Sequence, residues 1–260
     1  MRLSSRFEYK YLLTLSEYYA LKHSLTPFIT PDEYTQKSDK KRYLVRSLYY
    51  DTHHLKAFHE RDEGIFGRIK LRLRVYTNKY LEQETLSIEL KTKKGLNMVK
   101  YSALMPLNNY PEFLEKNTFN DDVKNQVVEE FLRLMHVRQL TPQLLVEYER
   151  EGYISKFKEP LRLTFDHNVS SARAKTLFED DLNLKIHQPS HVIFEIKCEQ
   201  ERPKWLNQII KKHRLKMTSN SKYVQGIEII KPLMITKQDA YFFNTSKSKN
   251  HGLRRALYEK

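Results

Sequence analysis

Glycine is scarce in this chain: 6 of 260 residues, about 2% against a usual ~7%. That disfavours Gly-rich phosphate loops, and neither a Walker A pattern nor G-x-G-x-x-G occurs. Cysteine occurs once, as Cys198, which excludes an intrachain disulfide, and no Cys/His cluster has zinc spacing. Long apolar runs are missing as well. The longest are four or five residues, where a membrane-spanning helix needs about 20. Residues 1–13 carry Arg2, Arg6, Glu8 and Lys10 among their apolar positions, unlike a signal peptide. The expectation is a cytoplasmic protein with no transmembrane segment.

Positive charge is abundant. Lys and Arg total 46 against 32 Asp and Glu, a formal net charge of +14. Apolar residues make up 40%, enough to build a core and to exclude wholesale disorder. There is no internal repeat and no linker within 1–235, so that stretch reads as one domain, followed by a basic tail over 236–260.

The pattern predicts strands near 5–13, 44–52, 67–77, 84–92, 97–105, 143–152, 160–169, 175–186 and 190–198. Lys93-Lys94-Gly95 reads as a hairpin turn. Helices are expected from a Ser16 cap to about Pro27, over 53–64, in two pieces over 110–138, after Pro203 and from Ser221. The polar run 30–42 reads as loop.

The strands share an unusual alternation. In a strand, residues i and i+2 lie on one face. Arg68, Lys70, Arg72 and Arg74 therefore oppose Ile69, Leu71, Leu73 and Val75. Arg6, Glu8 and Lys10 oppose Phe7, Tyr9 and Tyr11. Ser87, Glu89 and Lys91 oppose Leu86, Ile88 and Leu90. Arg162, Thr164 and Asp166 oppose Leu161, Leu163 and Phe165. Glu195 and Lys197 share a face with Ile193, and Tyr148 shares one with Arg150. A single basic strand face is ordinarily solvated, but like charges repeated on paired strands repel one another. A multivalent anion held between the strands would offset that repulsion. The apolar faces need helices to cover them, so the expected fold is α+β: a closed antiparallel β-barrel tunnel with a charged lumen and helices packed outside. Twelve cations fall on the charged faces (the foregoing with Lys91, Lys100, Arg150, Lys197 and, from the last helix, Lys222) against the four acids Glu8, Glu89, Asp166 and Glu195. Arginine forks and lysine point charges suit a phosphate chain, and a few carboxylates suit a divalent metal bridging phosphates.

The segments RFEYKY (6–11), SLYYDT (47–52), KLRLRVY (70–76), ELKTK (89–93), VEYEREGY (146–153), RLTFD (162–166), FEIK (194–197) and SKY (221–223) occur in that order. Together they resemble the catalytic domain of the vacuolar transporter chaperone (VTC) polyphosphate polymerases, within the triphosphate tunnel metalloenzyme (CYTH-like) superfamily. The resemblance spans about residues 5–230. It implies a tunnel enzyme that transfers the γ-phosphate of ATP to a growing inorganic polyphosphate chain, with Mn²⁺ or Mg²⁺. It implies that Arg72, Arg74, Lys91, Arg150 and Arg162 handle the transferring phosphates. Lys10, Lys100, Lys197, Ser221 and Lys222 would bind nucleotide or chain phosphates, and Glu195 would be the metal ligand. Triphosphatase members begin with E-x-E-x-K. Here the run is Arg6-Phe7-Glu8-Tyr9-Lys10, and the cation in first place favours a polymerase over a hydrolase.

Other features read as structural. His53, His54 and His59 lack metal spacing on a helix, and Cys198 has no paired histidine motif. Tyr49, Tyr50, Tyr76 and Tyr101 are expected to pack within strands. The alternatives are a tunnel hydrolase of tripolyphosphate or nucleoside triphosphates, a catalytically idle polyphosphate-binding module and a nucleic-acid binder. The last is not favoured, because no RNP, KH or helix-turn-helix signature is present.

Overall fold

Period-two alternation becomes strand almost everywhere it occurs. A computed structural model describes residues 7–60, 68–94, 97–119, 125–157 and 159–234. Arg6, Gly95 and the tail over 236–260 lie outside these. The strands are β1 (Phe7–Thr14), β2 (Ile29–Pro31), β3 (Tyr43–Asp51), β4 (Arg68–Val75), β5 (Thr85–Lys94), β6 (Asn97–Pro106), β7 (Thr141–Ser155), β8 (Leu161–Ala172), β9 (Lys185–Ile186) and β10 (His191–Cys198). The helices are α1 (Leu15–Leu25), α2 (Glu33–Lys37), α3 (Lys56–His59), α4 (Tyr110–Lys116), α5 (Gln126–Val137), α6 (Lys204–Lys212) and α7 (Lys222–Met234). No helix among the described residues is long and apolar enough to cross a membrane.

One antiparallel sheet runs in the order β1-β10-β8-β7-β3-β4-β5-β6, with β2 added beside β7 and β9 beside β8. The expected closed barrel is therefore corrected: among the described residues β1 and β6 do not pair. The outer edge of β1 is already taken. Thr218 N donates to Lys10 O at 2.8 Å, and Met217 bridges Tyr11. The sheet nevertheless curls, and Lys91 on β5 reaches Glu8 on β1 at 3.0 Å. Side chains cross a seam that backbone bonds do not close.

The outward faces are apolar and covered as expected. α1 and α6 pack on β1, β8 and β10 through Tyr18, Leu21, Leu206 and Ile209, against Leu163, Phe165 and Phe194. Thr14, rather than the expected Ser16, caps α1 in a reciprocal box with Glu17. Glu151 on the outer face fastens this helix, accepting from Tyr18 Oη at 2.7 Å and Lys22 Nζ at 2.6 Å. α4 and α5 cover β3 to β6. Their core also takes Leu177, Phe178, Leu182 and Leu184, so most of the strand expected at 175–186 is irregular chain, with β9 its only paired part.

The last helix departs from the expected arrangement. α7 packs inside the curl, and the expectation that all helices lie outside is corrected. Tyr223, Val224, Ile227 and Ile230 meet Val45, Tyr49, Leu144, Val146, Tyr148 and Ile193, which share a face with the charged residues. The reason is local composition. Beyond Glu195 and Arg150 the inner face turns apolar, and such surface gains about 25 cal/mol per Å² when covered. Gly226 allows the close approach, because a Cβ there would lie 2.5 Å from Ser171 Oγ. The lumen thus has an apolar plug at one end and a charged half at the other.

The run 30–42, expected as loop, holds β2 and α2, locked to β7. Asp32 caps α2 by accepting from Thr35 N at 2.9 Å. Asp32 N donates to Gly152 O at 2.8 Å, and Gly152 N donates to Thr35 Oγ1 at 2.8 Å. A Cβ on Gly152 would stand 1.9 Å from Asp32 Oδ2. Gly152→Ala should cost about 1–3 kcal/mol of stability by overpacking this lock. Denaturant unfolding measures it, and an unchanged midpoint would contradict the account.

Candidate functional site

The charged half is organised around buried carboxylates. Glu89 on β5 lies directly across from Arg72 on β4. It accepts from Arg72 Nε at 2.7 Å and Nη2 at 2.5 Å, and from Lys100 Nζ at 2.9 Å, with Arg74 Nη1 at 3.6 Å. Arg72 also donates to Tyr49 Oη at 2.7 Å, and Arg74 to Ser47 Oγ at 3.0 Å. On the other wall Asp166 faces Arg150 in register. Arg150 grips it with both ends of its fork, at 2.6 and 2.8 Å, and Lys222 Nζ lies 2.5 Å away. The rings of Tyr49 and Tyr148 lie against these cations, with Arg72 5.5 Å from the first and Lys222 4.7 Å from the second.

Glu195 is held differently. Its cationic neighbours stand back, with Lys197 at 3.5 Å, Arg150 at 3.7 Å and Lys10 at 4.0 Å. The N-terminus of α7 enters the same space. Lys70 Nζ donates to Ser221 Oγ at 3.1 Å and Lys10 Nζ to Asn220 O at 2.8 Å, so two lysines converge on the start of the helix. At the other end the lumen opens into a cavity of ≈ 490 Å³. Arg74, Lys100, Arg150, Arg162 and Lys197 reach it, with Tyr43, Tyr76 and Phe157 among its aromatic lining. Arg162 stands at this rim with its side chain 43% exposed, donating to Asp32 Oδ2 at 2.9 Å and Tyr43 Oη at 3.1 Å.

These surroundings move the ionisations. Burial alone would raise Glu89, but Arg72, Arg74 and Lys100 hold it well below the usual carboxylate range. Glu195 is likewise raised by burial and pulled well down by Lys197, Lys10, Lys222 and Arg150. Burial lowers Lys197 to about 7 and Lys100 to about 8, only partly opposed by Glu195 and Glu89 respectively. Burial would raise the Tyr49 phenol, yet Arg72 and Arg74 bring it down to about 8. The site carries cationic capacity that its own acids only partly use.

All eleven site residues expected from the sequence face this one space. Arg72, Arg74 and Lys100 share Glu89; Arg150 and Lys222 share Asp166; Lys10 and Lys197 flank Glu195; Lys91 meets Glu8; Ser221 caps α7; Arg162 marks the rim. Tyr49 and Tyr148 were not expected among them. Their parity is the available signal, since Tyr49 follows Ser47 on one face and Tyr148 precedes Arg150.

The metal expectation can be tested on the donors. Among the described residues no three His, Cys, Asp or Glu side chains form a cluster. Glu89 and Asp166 are spent on guanidinium forks. Glu195 and Glu8, close enough for the Glu195 charge to work against ionisation of Glu8, supply carboxylates from adjacent strands. This set does not fit a cage made wholly of protein ligands. It fits a hard cation that takes its other ligands from phosphate and water.

Residues 5–231 match the VTC domain family, and the chain belongs to it. Among solved structures, a "putative adenylate cyclase" from Bacillus halodurans superposes with a TM-score of 0.51 at 15% identity, over 86% of this chain and 98% of that one. The PH1819 protein of Pyrococcus horikoshii gives 0.43 at 12% identity, over 85% and 96%. No curated protein matches the chain. The first likeness bears on the fold alone.

Glu89→Gln leaves three cations without their counter-ion. Unfolding should show a loss of about 3 kcal/mol in the ligand-free protein, as for other broken buried pairs. Added tripolyphosphate should raise the variant's melting temperature more than the wild type's. An equal shift in both proteins would mean that phosphate does not take the place of Glu89.

Proposed function

We propose that this VTC domain is an ATP-dependent polyphosphate polymerase that uses Mn²⁺ or Mg²⁺. The observation that carries the reading is the gathering of ten described cations, from six strands of the curl's opposing walls, from β6 and from α7, around four carboxylates in one space open at a mouth.

In the proposed reaction the bond between the β- and γ-phosphates of ATP breaks, ADP leaves, and a new P–O–P bond forms to the terminal phosphate of the chain. That acceptor is an anion near neutral pH, so no side chain has to take a proton from it. The obstacle is the meeting of two anions. Fixed cations remove it and stabilise charge on the transferring group without reorganising. Arg72, Arg74 and Lys91 would surround the γ-phosphate. Arg150 and Arg162 would hold phosphates nearer the mouth, with Lys100 and Lys197 beside them. Lys10, Ser221 and Lys222 would meet phosphates at the α7 N-terminus. Glu195, assisted by Glu8, would hold the divalent cation together with phosphate oxygens. When bound, that cation would neutralise part of the phosphate charge.

Purified protein with ATP and Mn²⁺ should yield a polyphosphate ladder on a gel. Release of orthophosphate alone would make the domain a hydrolase, and binding without turnover would make it a storage or sensing module. Arg72→Ala or Arg74→Ala should abolish the ladder while far-ultraviolet circular dichroism stays unchanged. Undiminished synthesis by either variant would remove that arginine from the site.

The lysines give a pH dependence with a definite sign. Lys197 is lowered to about 7 and Lys100 to about 8 in the ligand-free protein, and a phosphate bound beside them would raise both. Affinity is therefore complete below the ligand-free values. As pH rises above them it falls, by at most tenfold per unit per lysine, because binding must first take up the proton. Calorimetric titration with tripolyphosphate between about pH 6.5 and about 9 should show this loss and net proton uptake. Lys197→Arg should flatten the lower part of the profile. A profile in that variant identical to wild type would assign the dependence elsewhere.

A further inference from the structure

The geometry points to the tyrosines at the mouth, Tyr76 and Tyr34 backed by Tyr43, as the stacking surface for the nucleobase of a bound nucleoside triphosphate. This deepens the function proposed above and rests on it.

A nucleotide whose triphosphate lies among the lumen cations must put its base somewhere. The plugged end has no room, since α7 is packed there on Val45, Leu144, Val146 and Ile193. The two inner rings, Tyr49 and Tyr148, are buried and already face Arg72, Arg150 and Lys222. The base is left at the mouth, where Tyr43 and Tyr76 line the cavity beside Arg74, Arg150 and Arg162.

Three segments meet to build this surface. Tyr34 comes from α2, Tyr43 from the start of β3, and Tyr76 from just past β4. Tyr34 and Tyr76 are near parallel, 20° apart with centroids at 5.8 Å, and Tyr43 sits 5.5 Å from Tyr34 and 6.0 Å from Tyr76. Tyr34 is 56% and Tyr76 38% exposed. Exposed aromatic rings ordinarily turn freely, but here the α2 lock positions Tyr34, and Tyr76 packs against Tyr34 and Tyr43. Asp32 and Thr35 bind α2 to Gly152 on β7, and the other oxygen of Asp32 holds Arg162, which also donates to Tyr43 Oη. Flat rings are thus held beside a phosphate-binding arginine at little ordering cost. Stacking of this kind accepts any base because every base has a π-face.

Titration calorimetry with ATP and with tripolyphosphate separates the base from the phosphates. The wild type should bind ATP more tightly than tripolyphosphate under matched charge and metal conditions. Tyr76→Ala and Tyr34→Ala should each weaken ATP by roughly fivefold or more and leave tripolyphosphate unchanged. Tyr76→Phe, which keeps the ring, should retain ATP affinity. Equal weakening of both ligands, or no change in either, would overturn the assignment. So would a selective loss of ATP on Phe157→Ala alone, which would move the base to the β7–β8 connection. Failure of the wild type to bind tripolyphosphate would instead remove the phosphate site, and this inference with it.

Discussion

The pairing of Glu89 with Arg72, Arg74 and Lys100 is the interaction on which the rest depends. A buried cation left without an anion costs several kcal/mol, and two arginines side by side cost more. The fold places the anion on the next strand, directly across. Arg72 faces Glu89 in register, and Arg150 faces Asp166 in the same way on the opposite wall. A one-residue slip of β4 on β5 would turn every side chain over, sending arginines into the core beneath α5 and leucines into the lumen. The ion pairs and the apolar outer face thus enforce one register.

That logic explains what could be read in advance. The alternation in 68–75, 86–91 and 161–166 is local, has period two, and needs no knowledge of neighbours. It yields strand, face and charge together. Closure is not local. Whether β1 meets β6 depends on what else occupies the edge of β1, and Met217 and Thr218, distant in sequence, take it. The position of α7 was partly legible, because Ile193 shares a face with Glu195 and Val146 with Arg150. The change from charged to apolar along one inner face is the signature of a plug. Seeing it required adding the strands side by side rather than reading each alone.

The segments misread from sequence share another cause. Residues 30–42 are polar, yet Asp32 caps a five-residue helix whose value lies in its contacts with Gly152 and Arg162. Residues 175–184 have the apolar content of a strand but pair with nothing, because Leu177, Phe178, Leu182 and Leu184 are absorbed side chain by side chain into the core under α4. In both cases tertiary contact overrides the local pattern. The site residues escaped this problem, since they lie on long strands or at the start of α7, where backbone periodicity fixes their direction.

The acids of the lumen differ in how firmly they are held, and this bears on what the site admits. Glu89 and Asp166 are gripped at 2.5–2.9 Å by several cations, whereas the nearest cation to Glu195 stands at 3.5 Å. A fastened carboxylate competes with any incoming anion for the same guanidinium, and it has the advantage of being tethered in register. A single phosphate must win each contact separately against that effective concentration. A chain of phosphates, once one unit is engaged, brings its next unit to the neighbouring cation as an intramolecular event. Internal counter-ions therefore do two things at once. They make a strongly cationic interior compatible with folding, and they favour ligands with several linked charges over a lone anion, provided the strand spacing matches the ligand's own repeat.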